Sequence, residues 1–244
     1  MLVAYDGGQF HGFATQRGVK TVQGEIEGAL SKLVGQEVKT SGAGRTDAGV
    51  HALGQVISFS TERPLGDLDR VQRSLNSMCR PAIAVLELAQ APDGFDARFS
   101  AISRTYEYGI FTRAIHDPFS RHTTWHYPDP LEVELMRKAA QSVVGEHDFS
   151  AFGRVEEGQN PVRRIDSLEV DEGEDLLIIR VTAKSFLQQM VRSIVGTLVK
   201  VGAGKLPAEQ IEEVIRSRDR AAAGPVAPAH GLFLVSVTYP EDMV

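Results

Sequence analysis

Three stretches decide the fold: TVQGEIEGALSKLV at 21–34, VKTS at 38–41 and LGQVISFS at 53–60. In the first, Val22, Ile26, Ala29, Leu30 and Leu33 recur every three or four residues. That is the period of an amphipathic helix, with Thr21 placed to cap it. The other two are short runs rich in β-branched and apolar residues and read as strands. Upstream, Leu2 to Tyr5 is a short apolar strand. Downstream, Leu68, Val71, Leu75 and Met78 give a second helix one apolar stripe, and Ala82 to Leu88 closes the unit as a strand. The order is βαββαβ, which folds as an antiparallel sheet with its helices on one face.

The second half repeats this order without repeating the sequence. Arg104 to Thr112 alternates as a strand, and Leu131 to Val144 is helical. Ile165 to Val170 and Leu176 to Lys184 form a hairpin around an acidic turn, and Phe186 to Val201 carries a helical apolar stripe stopped by Gly202 and Gly204. A helix from Ala208 to Arg216 precedes the last strand, Leu232 to Tyr239, and the stretch from His116 to Pro130 reads as the longest loop. The expectation is an α+β protein of two ferredoxin-like halves, residues 1–100 and 101–244. A cleft between them would be the default active site.

Composition limits what such a protein does. With 42% hydrophobic and 24% charged residues over 244 positions, the chain is an ordinary globular one able to bury a core. No apolar run approaches the ~20 residues that span a bilayer, so no membrane partner is expected. The N-terminus lacks the basic flank and long apolar stretch of a signal peptide, which predicts a cytoplasmic protein. A single cysteine, Cys79, allows neither a disulfide framework nor a multi-cysteine zinc site, and reads as a small buried hydrophobe. The net charge of −6 argues mildly against a nucleic-acid partner. However, the acids are partly segregated at 156–157, 171–175 and 212–213, while arginines recur at 98, 104, 113, 121, 154, 163, 164, 180 and 192.

Several fragments with familiar outlines lack the residues their chemistry needs. Gly202-Ala203-Gly204-Lys205 resembles a phosphate loop, but Val199 stands where its first glycine belongs and Leu206 where a hydroxyl would meet magnesium. It reads as a helix stop. Gly42-Ala43-Gly44 begins like a dinucleotide fingerprint, yet Asp47 takes the third glycine position. His122 and His126 have a helical ligand spacing in a proline-flanked, non-helical stretch with no third ligand, so no metal is expected.

The segment from Gly42 to Ala52 is of another kind. Its glycines allow close approach of backbone to a ligand, and Arg45 and Asp47 share a face if the chain is extended. Taken alone, the string fits a surface turn as well as a catalytic loop. Matches along the rest of the chain decide the matter. They run from Tyr5-Asp6-Gly7 and Phe10-His11-Gly12-Phe13 through Thr21-Val22-Gln23 and Gly44-Arg45-Thr46-Asp47-Ala48-Gly49-Val50-His51-Ala52. They continue through Leu75-Asn76, Phe95-Asp96-Ala97-Arg98, Arg104-Thr105-Tyr106-Glu107-Tyr108 and Gly145-Glu146-His147-Asp148-Phe149. The last are Phe186-Leu187-Gln188-Gln189-Met190-Val191-Arg192 and Ala229-His230-Gly231-Leu232. In this order the chain resembles the bacterial tRNA pseudouridine synthase A family over nearly its full length. It departs at Gly12-Phe13-Ala14-Thr15-Gln16, where the family places Gln directly after the aromatic residue, and at Cys79-Arg80-Pro81, where the family is more apolar.

The resemblance implies an isomerase that converts uridine to pseudouridine at positions 38 to 40 in the anticodon stem-loop of tRNA, with no cofactor. It implies Asp47 as the catalytic carboxylate, attacking the ribose C1′ or the uracil C6 or assisting a glycal route, a choice the residues leave open. Arg192 matches the counter-charge that keeps such a carboxylate ionised. Tyr106 matches the tyrosine that lies against the base and helps take the C5 proton. Arg45 would hold the extruded nucleotide, and Leu187 and Met190 would wall the pocket, although core packing explains both equally well. A homodimer sharing one tRNA is also implied. Two other readings compete. A pair of RRM-like halves would need an aromatic RNA-binding strand motif that does not appear. A nucleoside or sugar enzyme has only the acidic charge in its favour.

Overall fold

The computed structural model describes residues 1–243. Its strands and helices run β1 (Leu2–Tyr5), α1 (Val22–Val34), β2 (Thr40–Gly42), β3 (His51–Phe59), α2 (Leu68–Cys79), β4 (Ile83–Glu87) and β5 (Ser103–Phe111). They continue with β6 (Trp125–His126), α3 (Val133–Gln141), β7 (Gly145–Asp148), β8 (Val162–Glu172), β9 (Leu176–Ala183), α4 (Met190–Gly202), α5 (Ile211–Ser217) and β10 (Leu232–Thr238). The protein is α+β with mainly antiparallel strand pairing. Its residues group into two compact units, 1–104 with 233 onward, and 105–232. The final strand therefore groups with the first unit from Phe233 on, whereas the sequence places it in the second half. Its partner there is β3, to which it runs parallel, with Phe233 opposite His51 and Leu234 opposite Ala52.

In the first unit, β1 lies antiparallel between β4 and β3, and β2 pairs antiparallel with the end of β3. That is the split βαβ arrangement the order of elements predicts. Thr21 caps α1 by accepting from the Gly24 N–H at 3.3 Å, and Gly35 ends it in the left-handed region at φ 71°. Val22, Ile26, Ala29 and Leu30 are buried as the stripe predicts, while Leu33 is at the surface. In α2 the stripe is rotated from the one expected. Leu75 and Cys79 are buried, whereas Met78 is exposed.

The second unit builds the strand order β5-β9-β8-β7, with β6 added parallel to the end of β5. β9 alternates strictly, burying Leu177, Ile179, Val181 and Ala183 against the helical face. Helices α3 and α4 pack on each other, and α3 also packs on β8. Two glycines set the closest approach in this unit. A Cβ on Gly196 of α4 would lie 1.8 Å from the Pro225 carbonyl oxygen, and one on Gly224 would lie 2.5 Å from the Gly196 oxygen. Only glycine lets residues 224–227 cross α4 so tightly. The helix expected from Phe186 begins at Met190, because Gln189 turns into the left-handed region at φ 63° and breaks the helical run before it. β6 and β7, two and four residues long, are additions to the expected order of elements. Among the described residues no helix is long and apolar enough to cross a membrane.

Candidate active site

The loop carrying Asp47 occupies residues 43–50, between β2 and β3 of the first unit. Buried polar side chains fix it from several directions. Arg104, only 7% exposed, donates from Nε (3.1 Å) and Nη2 (2.8 Å) to the Ala43 carbonyl, and from Nη2 to that of Arg98 (2.6 Å). Gln55, fully buried on β3, closes a two-way bridge to Gly44: its Nε2 donates to the carbonyl at 2.7 Å and its Oε1 accepts from the N–H at 3.3 Å. Tyr5 Oη lies 2.8 Å from Thr46 Oγ1, and the Phe13 N–H donates to the Thr46 carbonyl at 3.0 Å. Burial pushes the Tyr5 hydroxyl up to about 12, so it stays a neutral hydrogen-bonding group at ordinary pH.

Steric contact adds to these bonds. A Cβ on Gly7 would fall 1.9 Å from the Val50 carbonyl oxygen, and Gly12, at φ +95°, would place one 2.9 Å from that of Thr46. The turn is closed by the Val50 N–H donating to the Asp47 carbonyl at 3.1 Å, with Gly49 at φ 81°. Just beyond it, His51 is buried and stacked on Phe233 with ring centroids 4.7 Å apart. Its Nδ1 lies 3.1 Å from the Gly7 nitrogen and 3.2 Å from Asp6 Oδ1. A ring with a bare Nδ1 accepts from Gly7, and one with Nδ1–H donates to Asp6, so either tautomer ties β1 to the loop.

With Thr46 buried and pinned, its neighbours face outward. Arg45 is exposed and Asp47 half-buried. Such a loop holds the carboxylate of Asp47 in a fixed place at the partly exposed face of the turn. Arg45 forms no ion pair among the described residues.

The remaining candidates lie in the second unit. Tyr106, on β5, is 7% exposed and meets the Phe186 ring edge-on, centroids 5.2 Å apart. Phe186 starts the segment that leads into α4. Leu187 and Met190 are core side chains, 3% and 0% exposed, and the Leu187 N–H points at Met190 Sδ at 3.5 Å. A Cβ on Gly153 would sit 2.4 Å from that of Leu187, and the Arg154 N–H donates to the Gln188 carbonyl at 2.9 Å, so residues 153–154 back the segment. Arg192 is half-buried in the first turn of α4. Its Nε donates to the Ala227 carbonyl at 2.8 Å and its own carbonyl accepts from the Ala227 N–H at 3.1 Å, which fixes the plane of the guanidinium. Tyr108, buried nearby on β5, donates to the Pro228 carbonyl at 2.8 Å.

Arg45 and Asp47 thus share one loop of the first unit, and Tyr106, Leu187, Met190 and Arg192 gather around the start of α4 in the second. Arg104, Gln55, Thr46 and Phe186 belong to the same constructions. All but Gln55 stand inside the matched motifs, but hydropathy gives no sign that a strand arginine or glutamine is buried. Residues 202–205 end α4, with Gly204 at φ 69° and the Lys205 N–H bonded to the Lys200 carbonyl. Among the described residues no cluster of three or more His, Cys, Asp or Glu is arranged to hold a metal.

Comparison with known proteins agrees with the motifs. The profile of a family described as tRNA pseudouridine synthase matches residues 1–100 and 139–240. A protein of Thermotoga neapolitana named tRNA pseudouridine synthase A is 40% identical over 239 residues, covering 98% of both chains. One of the same name from Rhodopseudomonas palustris is 42% identical over 241 residues, again 98% of both. Among solved structures, a Cbf5–Nop10–Gar1 complex overlaps 82% of this chain and 54% of its own at TM-score 0.33 and 12% identity. Profile and full-length identity together establish that the chain belongs to the tRNA pseudouridine synthase family, an isomerase family.

Proposed function

We propose that this protein isomerises uridine to pseudouridine at positions 38 to 40 in the anticodon stem-loop of tRNA, with Asp47 as the catalytic carboxylate. The reaction breaks the N1–C1′ bond, turns the uracil and joins C5 to C1′; C5 loses a proton and N1 gains one. Atoms and electrons balance without an oxidant, a reductant or ATP. What the protein must supply is a fixed carboxylate, a base contact and a proton acceptor.

The observation that carries this reading is the clamp on residues 43–50. An arginine and a glutamine are buried to hold the backbone at Ala43 and Gly44, just ahead of the half-buried Asp47. Burial of polar groups on that scale is uneconomic for a plain surface turn. In the proposed roles, Asp47 attacks C1′ or C6 or assists a glycal route, and Arg192 opposes its charge. Tyr106 lies against the uracil and helps remove the C5 proton, and Leu187 and Met190 line the base. A base inside a stem must be extruded, at a cost of a few kcal/mol, and exposed Arg45 is suited to hold the nucleotide that leaves the stack. The proposed setting is a cytoplasmic homodimer whose subunits share one tRNA.

Tritium release from C5-labelled tRNA tests the assignment. Asp47→Asn is expected to bind tRNA as the unaltered protein does and to release tritium at least about a thousandfold more slowly, the scale on which loss of a reacting group acts. Near-normal release from that variant would remove Asp47 from the chemistry.

A further inference from the structure

The second unit also holds a cavity that none of these roles uses. It has a volume of about 250 Å³ and is bounded by the end of β5, by β6 and by the turns between them, with Phe111, His116, Arg121, Trp125, His126 and His230 in its lining. Ordinary small-molecule pockets measure roughly 300–1,000 Å³. This one is scaled to a single base or nucleotide.

Its walls are largely rings, and it carries one guanidinium, Arg121, and one carboxylate, Asp117. The His126 ring lies 6.1 Å from that of Phe111 and 6.2 Å from that of His116, centroid to centroid. His126 Nε2 donates to the Arg113 carbonyl at 2.8 Å and His230 Nε2 to that of Thr124 at 3.0 Å, so both rings are held in place. Asp117 is the one carboxylate in the lining. It is committed to the turn, accepting from the backbone N–H groups of Phe119 (3.1 Å) and Ser120 (3.0 Å). Arg121 gives one N–H to the Pro118 carbonyl and forms no ion pair among the described residues. Outside the lining, Phe119 is 93% and Ile115 78% exposed.

From this we infer that the cavity is a nucleotide subsite for RNA, taking one unstacked base against the rings of Trp125 and His126 with a neighbouring phosphate on Arg121. Aromatic faces for bases and a guanidinium for phosphate are the means by which proteins hold single-stranded RNA. An interface with a second copy would be depleted of charge at its centre. Here the lining mixes an arginine, an aspartate and three histidine rings with Phe111 and Trp125, while the exposed Ile115 and Phe119 stand outside it. The inference rests on the reading that RNA is the substrate.

Trp125 is the only tryptophan of the chain, so its emission reports on this cavity. The full chain is titrated with unmodified tRNA transcript, uridine 5′-monophosphate and inorganic phosphate, while tritium release is followed on the same tRNA. Saturable quenching by tRNA and the mononucleotide, but not by phosphate, is expected. Arg121 is exposed, so Arg121→Ala leaves the core untouched. It should raise KM for tRNA about tenfold and flatten the slope of log affinity against log salt by about 0.7, the value for one single-stranded phosphate contact. Active enzyme with an unquenched Trp125 and an unchanged KM in Arg121→Ala would overturn the subsite and leave the proposed function standing. Quenching by tRNA without pseudouridine formation would overturn that function and leave the subsite. A change in solution mass for Phe119→Ala, with KM following only the mass, would make this face a contact between copies and overturn the inference.

Discussion

The loop at 43–50 and the segment at 186–192 each carry residues the family resemblance singles out, and they are held by opposite means. The loop is fixed by buried polar side chains that grip its backbone: Arg104 on Ala43, Gln55 on both sides of Gly44, Tyr5 on Thr46. The segment is fixed by packing, with Leu187 and Met190 in the core, Gly153 against Leu187, and a left-handed Gln189 that turns the chain into α4. A carboxylate needs its position set by hydrogen bonds, which are directional. An arginine reaches from a long side chain, which here starts from a packed base and carries a bond from Nε to the Ala227 carbonyl.

If that contrast is right, the largest effect on stability comes from the polar clamp. Arg104→Met keeps most of the volume, strips the buried Ala43 carbonyl of the guanidinium's two bonds and takes one from the part-buried Arg98 carbonyl. Each unsatisfied buried group costs about 1–3 kcal/mol, so a loss of about 3–5 kcal/mol is expected in urea unfolding, with turnover falling alongside. A loss under about 1 kcal/mol would mean that the loop does not depend on the clamp. Next come two alanines that press on the two regions differently. Gly7→Ala pushes on the Val50 backbone at 1.9 Å and Gly153→Ala on the Leu187 side chain at 2.4 Å. Both should cost about 1–3 kcal/mol as overpacking. Turnover should fall further in Gly7→Ala, because Val50 belongs to the loop that carries Asp47, whereas Leu187 lies in the segment ahead of α4. Equal turnover at equal stability would erase the distinction between the regions.

How far the sequence foretells all this follows from the same physics. The βαββαβ order is readable because Val22, Ile26, Ala29 and Leu30 keep a helical period and β9 alternates strictly, both consequences of one buried face. What depends on distant partners is not readable. Nothing local says that Phe233 pairs with His51 or that Met78 turns outward, although Cys79 is buried as its residue type suggests. The start of α4 is misplaced by four residues because the apolar spacing runs on through Leu187, while the deciding event is a backbone turn at Gln189 that hydropathy cannot show. The Asp47 loop is found by resemblance, and its support is hidden because Arg104 and Gln55 look like surface residues until the fold buries them.

A smaller effect separates the hydroxyl of Tyr5 from its ring. Tyr5→Phe leaves Thr46 Oγ1 without its 2.8 Å partner, a loss of about 1 kcal/mol near pH 8. The sign reverses in alkali. The folded hydroxyl titrates at about 12 against 10.0 for the free side chain, so its stabilisation is intact below pH 10 and drains away between pH 10 and 12 as the unfolded chain ionises first. The variant lacks that decline. Its stability should therefore close on that of the unaltered protein across this window and pass it, measured by urea unfolding at stepped pH. Parallel curves would place the Tyr5 hydroxyl in water.

The smallest effect tests the packed segment at its one strained residue. A residue with a side chain held at φ 63° gives up roughly 0.5–1 kcal/mol that glycine would not. Gln189→Gly should therefore raise stability by about that amount if the turn into α4 is a rigid consequence of packing. Turnover is the sharper readout. Glycine relieves the strain and also loosens the link between Leu187 and Arg192. A more stable variant with lowered turnover and unchanged KM would show that the left-handed glutamine aims Arg192. Unchanged turnover would show that the Ala227 contacts alone hold the guanidinium, and that packing at 187–190 serves the fold without serving the chemistry.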